Sequence, residues 1–144
     1  MNKQIKTEII INASREKVWQ ALTDFSSYPV WNPFIISIEG ELKKGSKLKN
    51  TLRNGDKTIM FNPIVQEVKY GESFSWLGIL LFKGLFDGLH SFIIEDAGNN
   101  HVKLIHSEIF SGLLSSFIFK KIGSETRNNF IQMNLALKNK AESI

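Results

Sequence analysis

A change of hydrophobic period divides the sequence into a long β-forming region and a helical tail. Between residues 34 and 110, apolar and polar residues alternate in short runs separated by turn residues, which is the pattern of strands. Between residues 111 and 140, apolar residues recur at spacings of three and four, as on one face of a helix. That stripe consists of Phe119, Ile122, Thr126, Phe130, Met133 and Leu137. This helix is the only predicted element long enough to cover the apolar face of a long antiparallel sheet.

One strand and one helix are predicted before the β region. Residues 5–11 alternate as a strand, and Ser14 is the predicted N-cap of a helix with Glu16 in its first turn. The helix is expected to end before Y-P-V-W-N-P, because Pro29 and Pro33 disfavour both helix and central strand there. The sequence therefore predicts a rigid, non-helical corner that carries the large side chains of Tyr28, Trp31 and Phe34.

Six further strands are predicted in the β region, at residues 34–39, 46–53, 58–69, 72–80, 85–95 and 101–110. Asn54-Gly55 is a strong signal for a two-residue hairpin, since a type I′ turn needs positive φ at both positions. Pro63 lies inside the third of these strands and implies an edge position or a bulge. Together with the first strand, short connections predict a seven-stranded antiparallel meander in an α+β fold.

Composition excludes several classes of protein. A length of 144 residues fits one domain, residues 1–144, and the absence of cysteine excludes a disulfide scaffold, a thiolate nucleophile and a cysteine zinc site. The N-terminus has no apolar signal core, so a cytoplasmic location is expected. The most apolar stretch, residues 76–89, contains Lys83 and Asp87 and is too interrupted for stable membrane insertion. Basic residues at 47, 49 and 53 alternate with others and indicate the solvated face of a strand, not a nucleic-acid site.

Three segments carry a resemblance to a known superfamily. They read I-I-I-N-A-S-R-E-K-V-W-Q-A-L-T-D-F-S-S-Y-P-V-W-N-P-F-I, G-L-F-D-G-L-H-S-F-I-I-E-D and V-K-L-I-H-S-E-I-F-S-G-L-L. Over essentially its whole length, the sequence resembles the SRPBCC, or START-like, superfamily, and most closely the polyketide cyclase/dehydrase type 2 group. The resemblance implies a helix-grip fold: a seven-stranded curved antiparallel sheet wrapped around the long C-terminal helix, with an internal hydrophobic cavity between them. It also implies that Tyr28, Trp31 and Phe34 form an apolar rim near the mouth of this cavity; the alternative is that they only fill the corner between helix and sheet.

Three polar residues are predicted to lie among the apolar residues of the cavity. Strand alternation places His90 on the inner face of one strand, and His106 and Glu108 on the inner face of the next. Histidine and glutamate are suited to proton transfer, so these three are the candidate catalytic residues. The alternative is that they only satisfy one another, the backbone or water, as buried polar groups must. Their spacing is too loose to predict a metal site, and no motif indicates a cofactor.

The inner faces of the predicted elements supply the remaining candidates for ligand contact. The full set of predicted ligand-binding residues is Trp31, Phe34, Phe61, Val65, Phe74, Trp76, Phe86, His90, Phe92, His106, Glu108, Phe130 and Met133. Such a cavity would take a lipid-like, polyketide-like or aromatic molecule, with a few polar groups to orient it.

Three functional hypotheses follow for a protein that is expected to be a monomer or homodimer. The first, which we favour over an enzyme, is a carrier or sensor of a hydrophobic small molecule. The second is a cyclase or dehydratase that uses the histidines or Glu108 for proton transfer, and the third is a protein-binding adaptor. Residues 80–85 and 112–119 carry more apolar side chains than one inward face can bury. They are expected to form a lid that gates the cavity, a dimer contact or a transient membrane contact.

Overall fold

The computed structural model describes residues 3–144, which form eight strands, three α-helices and a short 3-10 turn. In chain order these are β1 (Gln4–Ile11), α1 (Arg15–Thr23), the 3-10 turn (Phe25–Ser27), α2 (Tyr28–Trp31), β2 (Ile35–Glu39), β3 (Lys49–Asn54), β4 (Lys57–Phe61), β5 (Ile64–Lys69), β6 (Ser73–Ile79), β7 (Asp87–Asp96), β8 (Val102–Ser111) and α3 (Ser115–Glu142). The Ser14 cap is confirmed, because its Oγ accepts a hydrogen bond from the backbone N–H of Lys17 at 3.3 Å.

The strands form two antiparallel sheets around the long helix. The larger sheet has the order β1-β8-β7-β6-β5 and the smaller has the order β2-β3-β4. Helix α3 packs against β1 and β8, with Phe130, Met133 and Leu137 of its apolar stripe buried. This arrangement confirms the α+β, helix-grip expectation of a curved sheet closed by the C-terminal helix.

The number of strands differs from the expected seven because the predicted strand 58–69 is divided at Asn62-Pro63. Pro63 has no backbone N–H to continue a ladder, but its carbonyl accepts a hydrogen bond from Leu48 N–H at 2.8 Å. The chain crosses here from β4, in the smaller sheet, to β5, in the larger one. The proline therefore marks a change of sheet, and the predicted edge position is confirmed because β4 and β5 are each the last strand of their sheet.

The prediction of a non-helical corner after α1 is wrong over one turn. Residues Tyr28–Trp31 form the short helix α2, in which Pro29 lies in the first turn and needs no intrahelical donor. Tyr28 is fully buried, and the half-buried Trp31 packs edge-on against it while its Nε1–H donates to Ser27 Oγ at 3.1 Å. The corner is thus a compact unit held by aromatic packing and side-chain hydrogen bonds.

Strand alternation correctly places His90, His106 and Glu108 on the side of the sheet that faces the helix. Alternation places Asp87 on the face of β7 opposite His90, where a solvated side chain is predicted, and this prediction is wrong. Asp87 is buried, and its carboxylate accepts a hydrogen bond from the backbone N–H of Gly84, with N–O distances of 3.1 and 3.2 Å. Asp87 thereby holds the chain reversal between β6 and β7.

Candidate ligand-binding cavity

A cavity of about 310 Å³ lies between the two sheets and the first half of α3. Its volume is at the lower end of the range of small-molecule sites. The walls are predominantly apolar and come from both sheets and the helix. The apolar wall consists chiefly of Phe34, Ile35, Leu52, Ile59, Phe61, Ile79, Leu80, Phe86, Phe110, Ile118 and Ile122.

Two glycines on adjacent strands leave part of the sheet without side chains. Gly78 on β6 and Gly88 on β7 are direct cross-strand partners, and both line the cavity. The ring of Phe61 approaches to 3.5 Å from where a β-carbon on residue 78 would lie. At residue 88, a β-carbon would overlap Oε2 of Glu108. The absence of a side chain on β7 therefore allows the Glu108 carboxyl to fold across the neighbouring strand.

Three polar side chains stand side by side at one end of the cavity. Trp76 on β6 is the cross-strand partner of His90 on β7, which is in turn the partner of Glu108 on β8. All three line the cavity. The buried indole Nε1–H of Trp76 has no hydrogen-bond partner within residues 3–144. Glu108 Oε1 lies 3.7 Å from His90 Nδ1, which is longer than a hydrogen bond, so the carboxyl can engage a ligand.

A chain of buried hydrogen bonds runs from this polar end into the protein core. His90 Nε2 lies 2.7 Å from His106 Nε2, and His106 Nδ1 lies 2.8 Å from Asn134 Oδ1 on α3. Asn134 Nδ2 donates to Thr7 Oγ1 at 2.9 Å, and the Thr7 hydroxyl donates to the carbonyl of His106 at 2.9 Å. The network therefore joins β1, β7, β8 and α3.

The last bond of this chain fixes the direction of all the others. Because the Thr7 hydroxyl donates to a carbonyl, its oxygen accepts from the Asn134 amide, whose oxygen must then face His106. His106 consequently carries its proton on Nδ1 and accepts at Nε2, so His90 donates from Nε2. The remaining lone pair of a neutral His90 is on Nδ1, the atom that faces Glu108.

Burial keeps the titratable groups of this network uncharged. It lowers the pKa of His106 to about 3, and burial together with the adjacent His106 lowers the pKa of His90 well below its usual value. Burial raises the pKa of Glu108 to about 8, although 18% of its side chain is exposed to the cavity. At neutral pH the site presents a carboxylic acid and an indole N–H, both of which are hydrogen-bond donors.

The sequence matches one known protein family over most of its length. Residues 3–122 match the family described as polyketide cyclase / dehydrase and lipid transport. The chain belongs to this family. The match covers β1 to β8 and the first part of α3, and so includes all the strands that line the cavity. No curated protein sequence matches the chain significantly.

Solved structures show that the chain shares its fold with proteins of low sequence identity. The Zhui aromatase/cyclase from Streptomyces sp. R1128 is 11% identical with a TM-score of 0.79, and 96% of this chain covers 93% of that one. A START superfamily protein from Mycobacterium smegmatis is 19% identical with a TM-score of 0.74 and 97% coverage of both chains. A hypothetical protein from Helicobacter pylori is 18% identical with a TM-score of 0.78, and 96% of this chain covers 87% of that one.

The structure brings six of the thirteen predicted ligand-binding residues of this family member to the cavity wall. These are Phe34, Phe61, Trp76, Phe86, His90 and Glu108. Another six are buried side chains outside that wall: Val65, Phe74, Phe92, His106, Phe130 and Met133. They pack against one another and against neighbouring core residues, so the space they face is filled. Trp31 lies in the α2 corner, away from the cavity wall, and its ligand-binding role stays a prediction.

Several polar residues of the site were not singled out from the sequence. Asn54, Thr126 and Asn129 line the cavity, and Asn129 Nδ2 donates to Asn54 Oδ1 at 3.2 Å, joining α3 to the β3–β4 hairpin. Two of these polar residues carried a sequence signal: Thr126 interrupts the apolar stripe of the helix, and Asn134, four residues after Phe130, lies on the same helix face. Within residues 3–144 there is no cluster of three or more potential metal ligands and no helix apolar and long enough to span a membrane.

Proposed function

We propose that this protein binds a hydrophobic small molecule in the cavity between its sheets and α3, as a carrier or sensor. The observation that carries the proposal is the combination of apolar walls with polar groups gathered at one end. Burial of apolar surface supplies affinity at about 25 cal/mol per Å². The Trp76 indole and the Glu108 carboxyl supply orientation, because each can donate a hydrogen bond to the polar end of a ligand.

The polar end favours a neutral ligand with a hydrogen-bond acceptor, such as a carbonyl group. A ligand of this kind would satisfy the Trp76 N–H, which has no partner within residues 3–144. It would also accept from the protonated Glu108. Apart from Asn54, Thr126 and Asn129, the remaining walls present apolar surface to the rest of the ligand.

Native mass spectrometry of the freshly purified protein and displacement of a fluorescent naphthalene probe test the proposal. We expect a small molecule to copurify with the protein and to be released chemically unchanged when the protein is denatured. We also expect 2-undecanone to displace the probe at lower concentration than undecane, because only the ketone accepts a hydrogen bond.

A cavity-filling variant makes the test specific. Ile122→Trp should abolish displacement because residue 122 lines the cavity, whereas Ile131→Trp, on an exposed part of the same helix, should leave it unchanged. Equal behaviour of the two variants would refute binding in this cavity.

A second candidate is a cyclase or dehydratase, which the proximity of Glu108 and His90 within the cavity supports. In this reaction a protonated Glu108 would donate to a substrate carbonyl or a departing hydroxyl group. Incubation with a short poly-β-ketone analogue distinguishes the two functions. An enzyme converts the analogue to a product that has lost water and loses activity in Glu108→Gln, whereas a carrier returns the analogue unchanged.

A further inference from the structure

Two segments form a continuous apolar surface at one end of the molecule. This surface, the apolar tip, consists of Leu80, Leu81 and Phe82 after β6, and Leu113, Leu114 and Phe117 at the start of α3. Leu81 is 86% exposed, Leu113 is 85% exposed and Phe117 is 61% exposed, so their side chains project into solvent. The lid hypothesis predicted contact between the segments, and they do meet, but these side chains remain uncovered.

Backbone hydrogen bonds hold the two halves of the apolar tip together. The N–H groups of Leu113 and Leu114 donate to the carbonyls of Gly84 and Leu85, both at 2.9 Å. Gly112, with φ of 109°, lies so close to the Leu85 carbonyl that a β-carbon would meet it at 2.7 Å. The tip is therefore a built surface of two joined segments rather than two independent loops.

The apolar tip also adjoins the ligand cavity. Leu80 belongs to the tip and lines the cavity, and Ile118, one residue after Phe117, lines it too. The cavity wall thus adjoins the exposed apolar side chains of the tip. A molecule that leaves the cavity at this point passes directly over the tip.

The charges around the apolar tip are almost entirely positive. Lys83, Lys120 and Lys121 are exposed, and Lys121 Nζ lies 4.8 Å from the centroid of the Phe117 ring. In residues 79–87 and 111–123 the single acidic residue is Asp87, which is buried against Gly84. The next acidic residue along α3 is Glu125, one turn beyond Lys121.

We propose that the apolar tip docks this protein on the surface of an anionic phospholipid bilayer. The exposed leucines and Phe117 would enter the boundary between headgroups and acyl chains, while the lysines contact lipid phosphates and carboxylates. A two-fold dimer through the same patch would bring like charges face to face, because both copies present the same surface. An anionic bilayer complements both the charge and the apolar character of the tip.

Cosedimentation of ligand-free protein with lipid vesicles tests this proposal independently of the proposed cavity function. We expect binding to vesicles of equal parts phosphatidylcholine and phosphatidylserine, and much weaker binding to phosphatidylcholine alone. The double variant Leu81→Ser/Phe117→Ser should lose at least about tenfold in affinity. Val30→Ser and Tyr70→Ser are matched controls, because these residues are 84% and 86% exposed but lie outside the tip.

Charge variants separate the electrostatic contribution. Lys120→Gln/Lys121→Gln should weaken binding to the anionic vesicles by about 10- to 30-fold, while Lys43→Gln/Lys44→Gln has little effect. Equal binding of wild type and tip variants would overturn the proposal. So would light scattering that shows a dimer which the Leu81→Ser/Phe117→Ser variant converts to a monomer, because the tip would then be covered by a second copy.

Discussion

Oδ1 of Asn134, in the buried face of α3, lies 2.8 Å from Nδ1 of His106 on β8. Within residues 3–144, this is the only side-chain hydrogen bond observed between α3 and the inner face of β8. It also sets the tautomers of both histidines, through the bond from Asn134 to Thr7. The long helix is therefore attached to the sheet by a directional polar contact as well as by apolar packing.

Replacement of Asn134 by leucine should lower the free energy of unfolding by about 1–3 kcal/mol. The substitution removes the acceptor of the His106 Nδ1–H and the donor to Thr7, leaving buried polar groups without partners. Urea unfolding measures the loss, and Asn128→Leu, on an exposed position of α3, is the control. Equal stability of the two variants would contradict a structural role for the network.

Gly88→Ala should displace the Glu108 carboxyl from its place over β7. The added methyl group would occupy the space of Oε2, so the carboxyl must turn toward the open cavity. Greater access to water should bring the pKa of Glu108 down from about 8 toward its ordinary value. Carbon-13 NMR titration follows this change. Gly78→Ala, whose methyl group would lie 3.5 Å from the Phe61 ring and 3.9 Å from the Gly88 carbonyl oxygen, should leave the Glu108 pKa in place.

The stability of the protein should decline between pH 6.5 and 8 because of Glu108. The folded protein retains the Glu108 proton up to about pH 8, whereas the unfolded chain loses it near 4.5, so rising pH favours unfolding by at most about 1.4 kcal/mol per pH unit. Below pH 6.5 the two network histidines act in the opposite direction, because only the unfolded chain protonates them there.

The variant Glu108→Gln isolates this contribution. Urea unfolding at pH 6.5 and pH 8 should show a flatter profile in Glu108→Gln, while Glu67→Gln, an exposed carboxylate on β5, keeps the wild-type decline. An unchanged profile in Glu108→Gln would show that the folded protein holds this carboxyl ionised.

Tryptophan fluorescence should report on ligand binding through Trp76. Trp76 lines the cavity, whereas Trp31 packs on Tyr28 in the α2 corner. Addition of 2-undecanone should change the emission of wild type and Trp31→Phe by a similar amount, and should leave Trp76→Phe nearly unchanged. A response that disappears in Trp31→Phe instead would place the ligand next to Trp31.

Asn50→Leu should raise the free energy of unfolding by about 1 kcal/mol. Asn50 is fully buried on β3, and neither its amide nitrogen nor its amide oxygen has a hydrogen-bond partner within residues 3–144. A leucine of similar size removes this unsatisfied polarity. Thermal unfolding compared with Asn62→Leu, whose amide has a backbone partner in Leu48, measures the gain, and a loss of stability would indicate a buried water bound by Asn50.

Periodicity is sufficient to predict the long helix and the inward faces of the strands. It also predicts the two polar cavity residues His90 on β7 and Glu108 on β8. It does not predict the division at Asn62-Pro63, because short apolar runs typical of a strand lie on both sides of it. Alternation also assigns a side to each residue without saying whether the space in front of it is filled. Phe92 and Phe130 share the inward side with Phe86, yet they pack in the core while Phe86 faces the cavity.

The register between neighbouring strands is a second feature that the sequence patterns do not predict. Trp76 becomes a neighbour of His90 and Glu108 only because β6, β7 and β8 align at these three positions. The hydrogen-bond network likewise needs Thr7 and Asn134, which are 127 residues apart in the chain. Such long-range pairings depend on packing that no local pattern specifies.

The change of sheet at Pro63 has a consequence for engineering the protein. The Trp76, His90 and Glu108 side chains all belong to the larger sheet, whereas Ile35, Leu52, Ile59 and Phe61 of the smaller sheet, β2–β4, supply mainly shape and apolar surface. In the proposed function, the larger sheet would therefore recognise the polar group of a ligand and the smaller sheet would accommodate its apolar part. A library of substitutions confined to β3 and β4 should change the shape of the cavity for other hydrophobic molecules. The protonation states and hydrogen-bond donors of Trp76, His90 and Glu108 should stay the same.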